Sequence, residues 1–191
     1  MQKSYIKTYK GAIWTFADAA NNAMDPDDIA HSLALQCRFG GHIDTFYSIA
    51  QHCCYCADVM AHEHKIYGLL HDAHEALIGN IMGPFRRLLD TSSNDTVTVI
   101  ERASDMAVYR MADIPPPTPE IQQKIDTVDT IMLATEMRDI RTRMSIDARL
   151  PHPFPECIVK VDPWPWELAK EQWLDRYNRY RDFYGRYQRA E

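Results

Sequence analysis

His71 and Asp72 stand side by side in the stretch YGLLHDAHEALIGN, with His74 and Glu75 directly after them. Four ionisable groups within five residues interrupt an apolar helical pattern in which Leu69, Leu70 and Leu77 are core residues. In a helix His71 and Glu75 are related by i,i+4 and Asp72 and Glu75 by i,i+3, so all three can converge on one side. His52 lies on the inward flank of its own helix beside Ile49 and Cys56, and Asp129 falls between Ile125 and Met132. Imidazoles and carboxylates turned toward a core are costly unless something pairs them. A divalent metal is the economical partner, because zinc, manganese, cobalt and iron accept these ligand types. A single His or Asp on an apolar flank is more often a satisfied core residue, so His52 or Asp129 alone carries little weight. The adjacent His71-Asp72 pair with Glu75 is different, since an ordinary bundle gains nothing by placing it there.

The helices that must position these groups announce themselves by their punctuation. Asp25 as N-cap, Pro26 at the first turn, and Asp27 and Asp28 at the positive end of the dipole open a first helix. Its stripe is Ile29, Leu33 and Gln36/Cys37, and Gly40-Gly41 should stop it. A second helix is expected over roughly 43–63, with Phe46, Ile49, Ala50, Cys53, Ala57 and Met60 inward. A third covers about 66–78, with Ile66, Leu69, Leu70, Ala73 and Leu77 inward and Gly79 at its exit. A fourth runs from Asn94 to Ala112 on a face of Val97, Ile100, Ser104, Val108 and Met111. The prolines of PPPTPE end it, and Thr118-Pro119 start another that runs to about Arg143, burying Ile121, Ile125, Val128, Met132 and Leu133. PHPFPECIVKVDPWPW reads as a proline-punctuated loop with one short strand in 151–163, and SYIKTY and AIWTF flank Lys10-Gly11 as a short hairpin. The fold expected is all-α, a helical bundle with minor strands, forming a single domain over 1–191 with its site region in 25–143.

The final helix, 166–189, carries Trp173, Tyr177, Tyr180, Tyr184 and Tyr187 on one stripe, surrounded by Arg176, Arg179, Arg181, Arg186 and Arg189. Such a stripe packs onto its own domain or onto a second subunit. Aromatics interleaved with arginines also suit single-stranded nucleic acid, but the net charge of −6 and the regular spacing argue against a nucleic-acid partner. No apolar stretch approaches the ~20 residues that span a bilayer, and MQKSYIKTYK has no signal-peptide core, so no membrane partner is expected. Of the five cysteines, Cys53, Cys54 and Cys56 crowd one helix, a poor disulfide framework. Reduced thiols in a cytoplasmic setting fit better, with the cysteines acting as small buried hydrophobes rather than as a C-x-x-C redox or structural zinc site.

Four blocks together, DIAHSLALQCRFGGH, FYSIAQHC, LLHDAHEALIGN and DTIMLATEMRDI, resemble the HD-domain phosphohydrolases. The subgroup they resemble contains bacterial 5′-deoxynucleotidases and bacteriophage deoxynucleotide phosphohydrolases, including the phage dATP triphosphohydrolases. A bare His-Asp dipeptide is a weak signal, whereas four blocks in this order, spanning Asp28 to Ile140, are a strong one. The resemblance implies that His52, His71, Asp72 and Asp129 ligate a divalent metal (zinc, cobalt or manganese, with magnesium also compatible). Asp129 rather than Asp126 keeps the family's offset before LATE. Two His and two Asp leave coordination positions open, as a catalytic rather than a structural site does. Glu75 matches the family's catalytic acid/base. Arg38-Phe39 matches an Arg-aromatic pair that grips substrate, with His42 in the same loop; without the resemblance, Arg38 reads as a cation at a helix C-terminus. The resemblance further implies a deoxynucleotide substrate, a cytoplasmic location (the host's, for a phage-encoded chain) and a homo-oligomer, dimer or hexamer.

Two departures stand out. Relatives read Gly-Asp after the glutamate and then Pro-x-Lys, where this chain reads Gly79-Asn80 and Pro84-Phe85-Arg86. Arg86 keeps a cation for phosphate, with a fork instead of a point charge. Asn80 can orient a water or a sugar hydroxyl in the catalytic site but cannot take up a proton. Three functions are therefore in play. CRFGGH with FYSIAQH tilts toward a deoxynucleoside triphosphate triphosphohydrolase, and a 5′-deoxynucleotidase acting on monophosphates uses the same ligand set. A nucleotide-binding protein without turnover is the reading that Asn80 favours.

Overall fold

The protein is described by a computed structural model over residues 4–90, 95–140 and 160–187. Its fold is all-α with a minor N-terminal hairpin, as expected from the helical periodicity. β1 (Tyr5–Lys7) and β2 (Ile13–Thr15) pair antiparallel with Tyr5 opposite Thr15, and Gly11 turns the loop between them at φ +87°. Among the described residues eight helices come after it: α1 (Pro26–Leu35), α2 (Ile49–Val59), α3 (Lys65–Leu70), α4 (Glu75–Ile78), α5 (Gly83–Leu89), α6 (Thr96–Ala112), α7 (Pro119–Ile140) and α8 (Trp166–Tyr187).

The Asp25 side chain caps α1 by accepting from the Asp27 amide, with Pro26 in the first turn. The helix ends at Leu35, well before Gly40-Gly41. Gln36 leaves it extended, and Cys37 forms an antiparallel bridge with Ser48 that pinches the loop at its neck. The Arg38 amide donates to Tyr47 O at 2.9 Å and the Ile49 amide to Gln36 O at 3.1 Å, so strand-like pairing outcompetes continued helix. Beyond the neck, Arg38–Gly41 form a tight turn in which Phe39, a non-glycine residue, holds φ +57°. A residue held in the left-handed region is a mark of strain retained for a purpose.

That neck also moves the start of the next helix. α2 begins at Ile49, capped by Ser48 Oγ accepting from the Gln51 amide, so Phe46 lies outside it and is 39% exposed instead of inward. The rest of the expected stripe, Ile49, Ala50, Cys53, Ala57 and Met60, is buried. α3 packs tightly on α2 at Gly68, where a Cβ would come within 2.7 Å of Met60 Cγ and 3.1 Å of Ala57 Cα. The expected continuous helix over 66–78 is broken. Between α3 and α4, residues 71–74 turn through i→i−3 bonds such as Ala73 N to Leu70 O at 3.0 Å and Glu75 N to Asp72 O at 3.0 Å. The His71-Asp72 pair therefore sits in a tightened turn.

α1 also anchors α4 and the residues after it. Ser32 Oγ donates to Ala76 O, and the Gln36 amide group bridges Glu75 O and the Asn80 amide. α5 was not foreseen from the sequence, and none of its residues is buried. α6 starts at Thr96; the expected start at Asn94 lies outside the described residues, as do 141–143 at the end of α7. Thr118 Oγ1 caps α7 by accepting from the Ile121 amide. The short strand expected in 151–163 falls largely outside the described residues, and 160–163 are not strand.

α8 lies across α1, α2 and α3. Trp173, Tyr177, Tyr180 and Tyr184 are buried there within the chain, while Tyr187 is 41% exposed. Each fully buried large apolar side chain contributes roughly 1.5–3 kcal/mol, so this stripe is a main brace of the bundle. The Arg176 guanidinium grips Asp58 through two bonds of 3.1 and 2.8 Å, and Tyr184 Oη meets Tyr67 Oη at 3.1 Å. No described helix is long and apolar enough to cross a membrane.

Candidate active site

Three parts of the fold deliver the site. His52 comes from the middle of α2, His71 and Asp72 from the turn after α3, and Asp129 from α7, which packs on both α2 and α3. His52 Nε2 lies 3.3 Å from His71 Nε2, 3.1 Å from Asp129 Oδ1 and 3.6 Å from Asp72 Oδ2. His71 Nε2 is 3.2 Å from Asp72 Oδ2. Nitrogen and oxygen ligands ~2.0–2.2 Å from a shared metal sit about 3.4 Å apart at tetrahedral angles. The spacing of His52, His71 and Asp129 therefore fits a single divalent cation, and Asp72 Oδ2 lies beside both imidazole nitrogens.

Hydrogen bonds behind the rings fix which nitrogen faces the centre. His71 Nδ1 is 2.9 Å from Gly68 O, and because a carbonyl only accepts, Nδ1 carries the proton. His52 Nδ1 is 2.6 Å from Glu136 Oε1 and donates to that carboxylate. In the neutral rings both Nε2 atoms thus present lone pairs to each other and to two carboxylates. Such an array of acceptors is stable only with positive charge at its centre.

The electrostatics agree. Burial opposes ionisation of Asp72, but His71, His52 and Arg38 outweigh it and hold the carboxyl well below its ordinary range. Asp129, through His52, and Glu136, through Arg38 and His52, are likewise held low against burial. Burial works against a charge on His71, yet Asp72 raises it to about 9. Without a metal, protons on the imidazoles do the work a divalent cation would do. The donor groups that could hold a metal include His52, His71 and Asp129 with Cys56, and His71 and Asp72 with Cys53.

Glu136 is the residue that sequence reasoning missed. It is fully buried one α7 turn beyond Met132, and seven residues after Asp129, hence on the same face. Its two oxygens engage His52 Nδ1, Tyr47 Oη at 2.9 Å and Arg38 Nε at 3.0 Å. A carboxylate in register with the buried stripe of α7 was the available signal. Arg38 is thereby drawn inward, with Nη1 3.8 Å from Asp72 Oδ2 and its guanidinium 5.4 Å from the Phe39 ring centre.

A cavity of about 1010 Å³ opens above this floor. Arg38, Phe39, His42, Asn80, Pro84 and Arg86 all line it, so the expected substrate residues share one space. His42 is exposed at the rim. Arg86 differs from expectation, because its guanidinium is taken by Glu101 and by Thr98 Oγ1 at 3.0 Å. Asp126 is on the wall as well, exposed and paired with Gln122, whereas Asp129 reaches His52. Glu75 lines the cavity with Oε2 buried and unbonded, and burial together with the Asp72 charge pushes its carboxyl up to about 8. His74 lines the cavity as well; its Nδ1 meets Asp105 Oδ1 at 2.9 Å, and although burial opposes it, that partner raises the ring to about 9. Cys53, Cys54 and Cys56 are buried free thiols, all raised by burial.

No family model matches the chain. The uncharacterized protein YfdR of Escherichia coli (strain K12) is 34% identical over 137 residues, a match that covers 72% of this chain and 72% of that protein. With a likeness of that depth and extent, the chain belongs to the YfdR family.

Proposed function

We propose that the chain is a metal-dependent phosphohydrolase of the HD-domain type acting on 2′-deoxynucleotides, with release of triphosphate from a deoxynucleoside triphosphate as the leading reaction. The observation that carries this reading is the convergence of His71, Asp72 and Asp129, on the floor of a nucleotide-sized cavity, around the His52 Nε2 just beneath it. When bound there, a divalent cation supplies Lewis-acid polarisation of a phosphate oxygen and lowers the pKa of a water.

The chain's own residues divide the remaining work. Glu75, whose carboxyl burial and the Asp72 charge push up to about 8 in the metal-free chain, is suited to protonate the departing 5′ oxygen. Arg38, anchored by Glu136, presents fixed positive charge beside Asp72, and Phe39 offers an apolar face for sugar or base. Asn80, whose backbone is pinned by Gln36, can orient a hydroxyl or water but leaves the proton to Glu75.

A second reading, 5′-deoxynucleotidase activity on monophosphates, draws support from Arg86. Its pairing with Glu101 removes a cation that a triphosphate would use. The homo-oligomer rests on the family resemblance, since α8 spends most of its aromatic stripe inside the chain, and the cytoplasmic location on the resemblance and on the free thiols.

The test incubates the protein with each dNMP and dNTP in the presence of Mn²⁺, Co²⁺, Zn²⁺ or Mg²⁺ and separates phosphate, pyrophosphate and triphosphate. Triphosphate release is expected. Free phosphate from dNMP establishes the second reading in its place, and no hydrolysis with any metal leaves only nucleotide binding.

A further inference from the structure

Cys56 lies one helical turn after His52 on α2, the i,i+4 spacing with which a helix offers two ligands to one metal. Its Sγ is 3.5 Å from His52 Nε2, the nitrogen whose lone pair faces the site. His52 Nε2, His71 Nε2, an Asp129 oxygen and Cys56 Sγ all lie within 4.8 Å of one another. A thiolate ligand stands about 2.3 Å from zinc and an imidazole nitrogen ~2.0–2.1 Å, which at a tetrahedral angle separates the two donors by about 3.6 Å. The sulfur is thus at donor separation from Nε2, and at 3.9 Å from Nδ1 it rests beside the ring, so a rotation of the Cys56 side chain would bring it onto a metal held by Nε2. Cys53 reaches only His71 and Asp72, so the two thiols are not equivalent.

We propose that Cys56 is a further ligand of the metal centre, added to the His and Asp ligands above to make a mixed sulfur, nitrogen and oxygen set that favours zinc or cobalt(II) over magnesium and manganese. This rests on the metal-site reading above and deepens it. On binding, the Sγ–H proton is released to solvent and the sulfur lone pair is donated to the cation, with no change of oxidation state. The chemical consequence is selectivity. Two imidazoles and carboxylates alone serve many divalent ions, and geometry with ligand softness decides among them. Cys56 is already buried against the site, so coordination requires no opening of the core.

Cobalt(II) substitution reads the proposal without reference to turnover. The metal-free full chain is titrated with Co²⁺ and its absorption recorded. Visible ligand-field bands report occupancy of the site, and a near-ultraviolet thiolate-to-cobalt band reports sulfur coordination. Both are expected in the native chain. Cys56→Ser should lose the near-ultraviolet band while retaining the visible ones, and Cys53→Ser should keep both. Zn²⁺ affinity of Cys56→Ser should fall by at least the 10–100-fold typical of losing even an outer-shell partner, with Mn²⁺ affinity much less affected. Visible bands without the sulfur band in the native chain overturn the proposal and leave the His and Asp site intact. Loss of the sulfur band in Cys53→Ser alone overturns it in favour of the other thiol. Absence of any cobalt bands overturns the metal-site reading itself. The native chain alone decides the matter if Cys56→Ser does not fold.

Discussion

The Nδ1 of His52 and the Oε1 of Glu136 lie 2.6 Å apart, both in fully buried side chains on different helices. This contact turns the second imidazole nitrogen toward His71, Asp72 and Asp129, and the same carboxylate seats Arg38 and Tyr47. Glu136 is thus a positioning residue for both halves of the site. In Glu136→Gln the amide cannot serve as the charged acceptor that fixes the His52 tautomer. Metal affinity should fall by about 10–100-fold, read by competition with a chelating dye. An unchanged affinity would show that His52 holds its orientation without this partner.

Asp72 is the shared neighbour of His71, His52 and Arg38. Asp72→Ala should abolish metal retention and turnover together. If elemental analysis finds the same metal content as in the native chain, the ligand assignment is wrong.

Metal binding should also depend on pH with a defined sign. Asp72 overcomes burial to raise His71 to about 9, so at neutral pH the ring carries a proton that an incoming metal must displace. Apparent affinity should rise with pH by at least about one log unit per unit between 7 and 9. Calorimetric titration at several pH values checks this, and a flat profile would refute it.

Glu75 gives the opposite slope in the stability of the metal-free chain. Burial and Asp72 hold its folded pKa near 8, while an unfolded glutamate ionises near about 4.3. Between these values the folded chain binds the extra proton, so stability is lost as pH rises toward 8 and is constant above it. Glu75→Gln lacks that ionisation. It should match the native chain near pH 5 and exceed it by on the order of a few kcal/mol at pH 9, measured by denaturant unfolding. A difference independent of pH would place Glu75 in water.

Gly68 joins packing to chemistry, since it sits against Met60 and Ala57 while its carbonyl orients His71. Gly68→Ala should cost about 1–3 kcal/mol from overpacking and weaken metal binding. Thermal melts with parallel metal titration test both effects, and a stable variant with reduced affinity would separate orientation from packing.

The donor types and their local spacing were readable in the sequence because helical periodicity is a property of consecutive residues. Asp129 on the flank of Ile125 and Met132 and the α8 stripe come from that periodicity, and the Thr118 cap from the Thr-Pro pair that follows the prolines. The end of α1 was not readable. The Cys37–Ser48 bridge stops it before the glycines, and that pairing exists only once the chain has folded back on itself. Phe46 left the core for the same reason.

The sequence by itself therefore determined an all-α chain and which side chains could act as ligands, acid and cation. Only the tertiary structure decided their states. Packing of α7 on α2 put Glu136 behind His52 and chose the ring tautomer, and packing of α5 near α6 gave Arg86 to Glu101. It also placed Cys56 Sγ within ligand reach of the His52 ring. Contacts between helices depend on how whole surfaces fit together, which no spacing along one helix encodes.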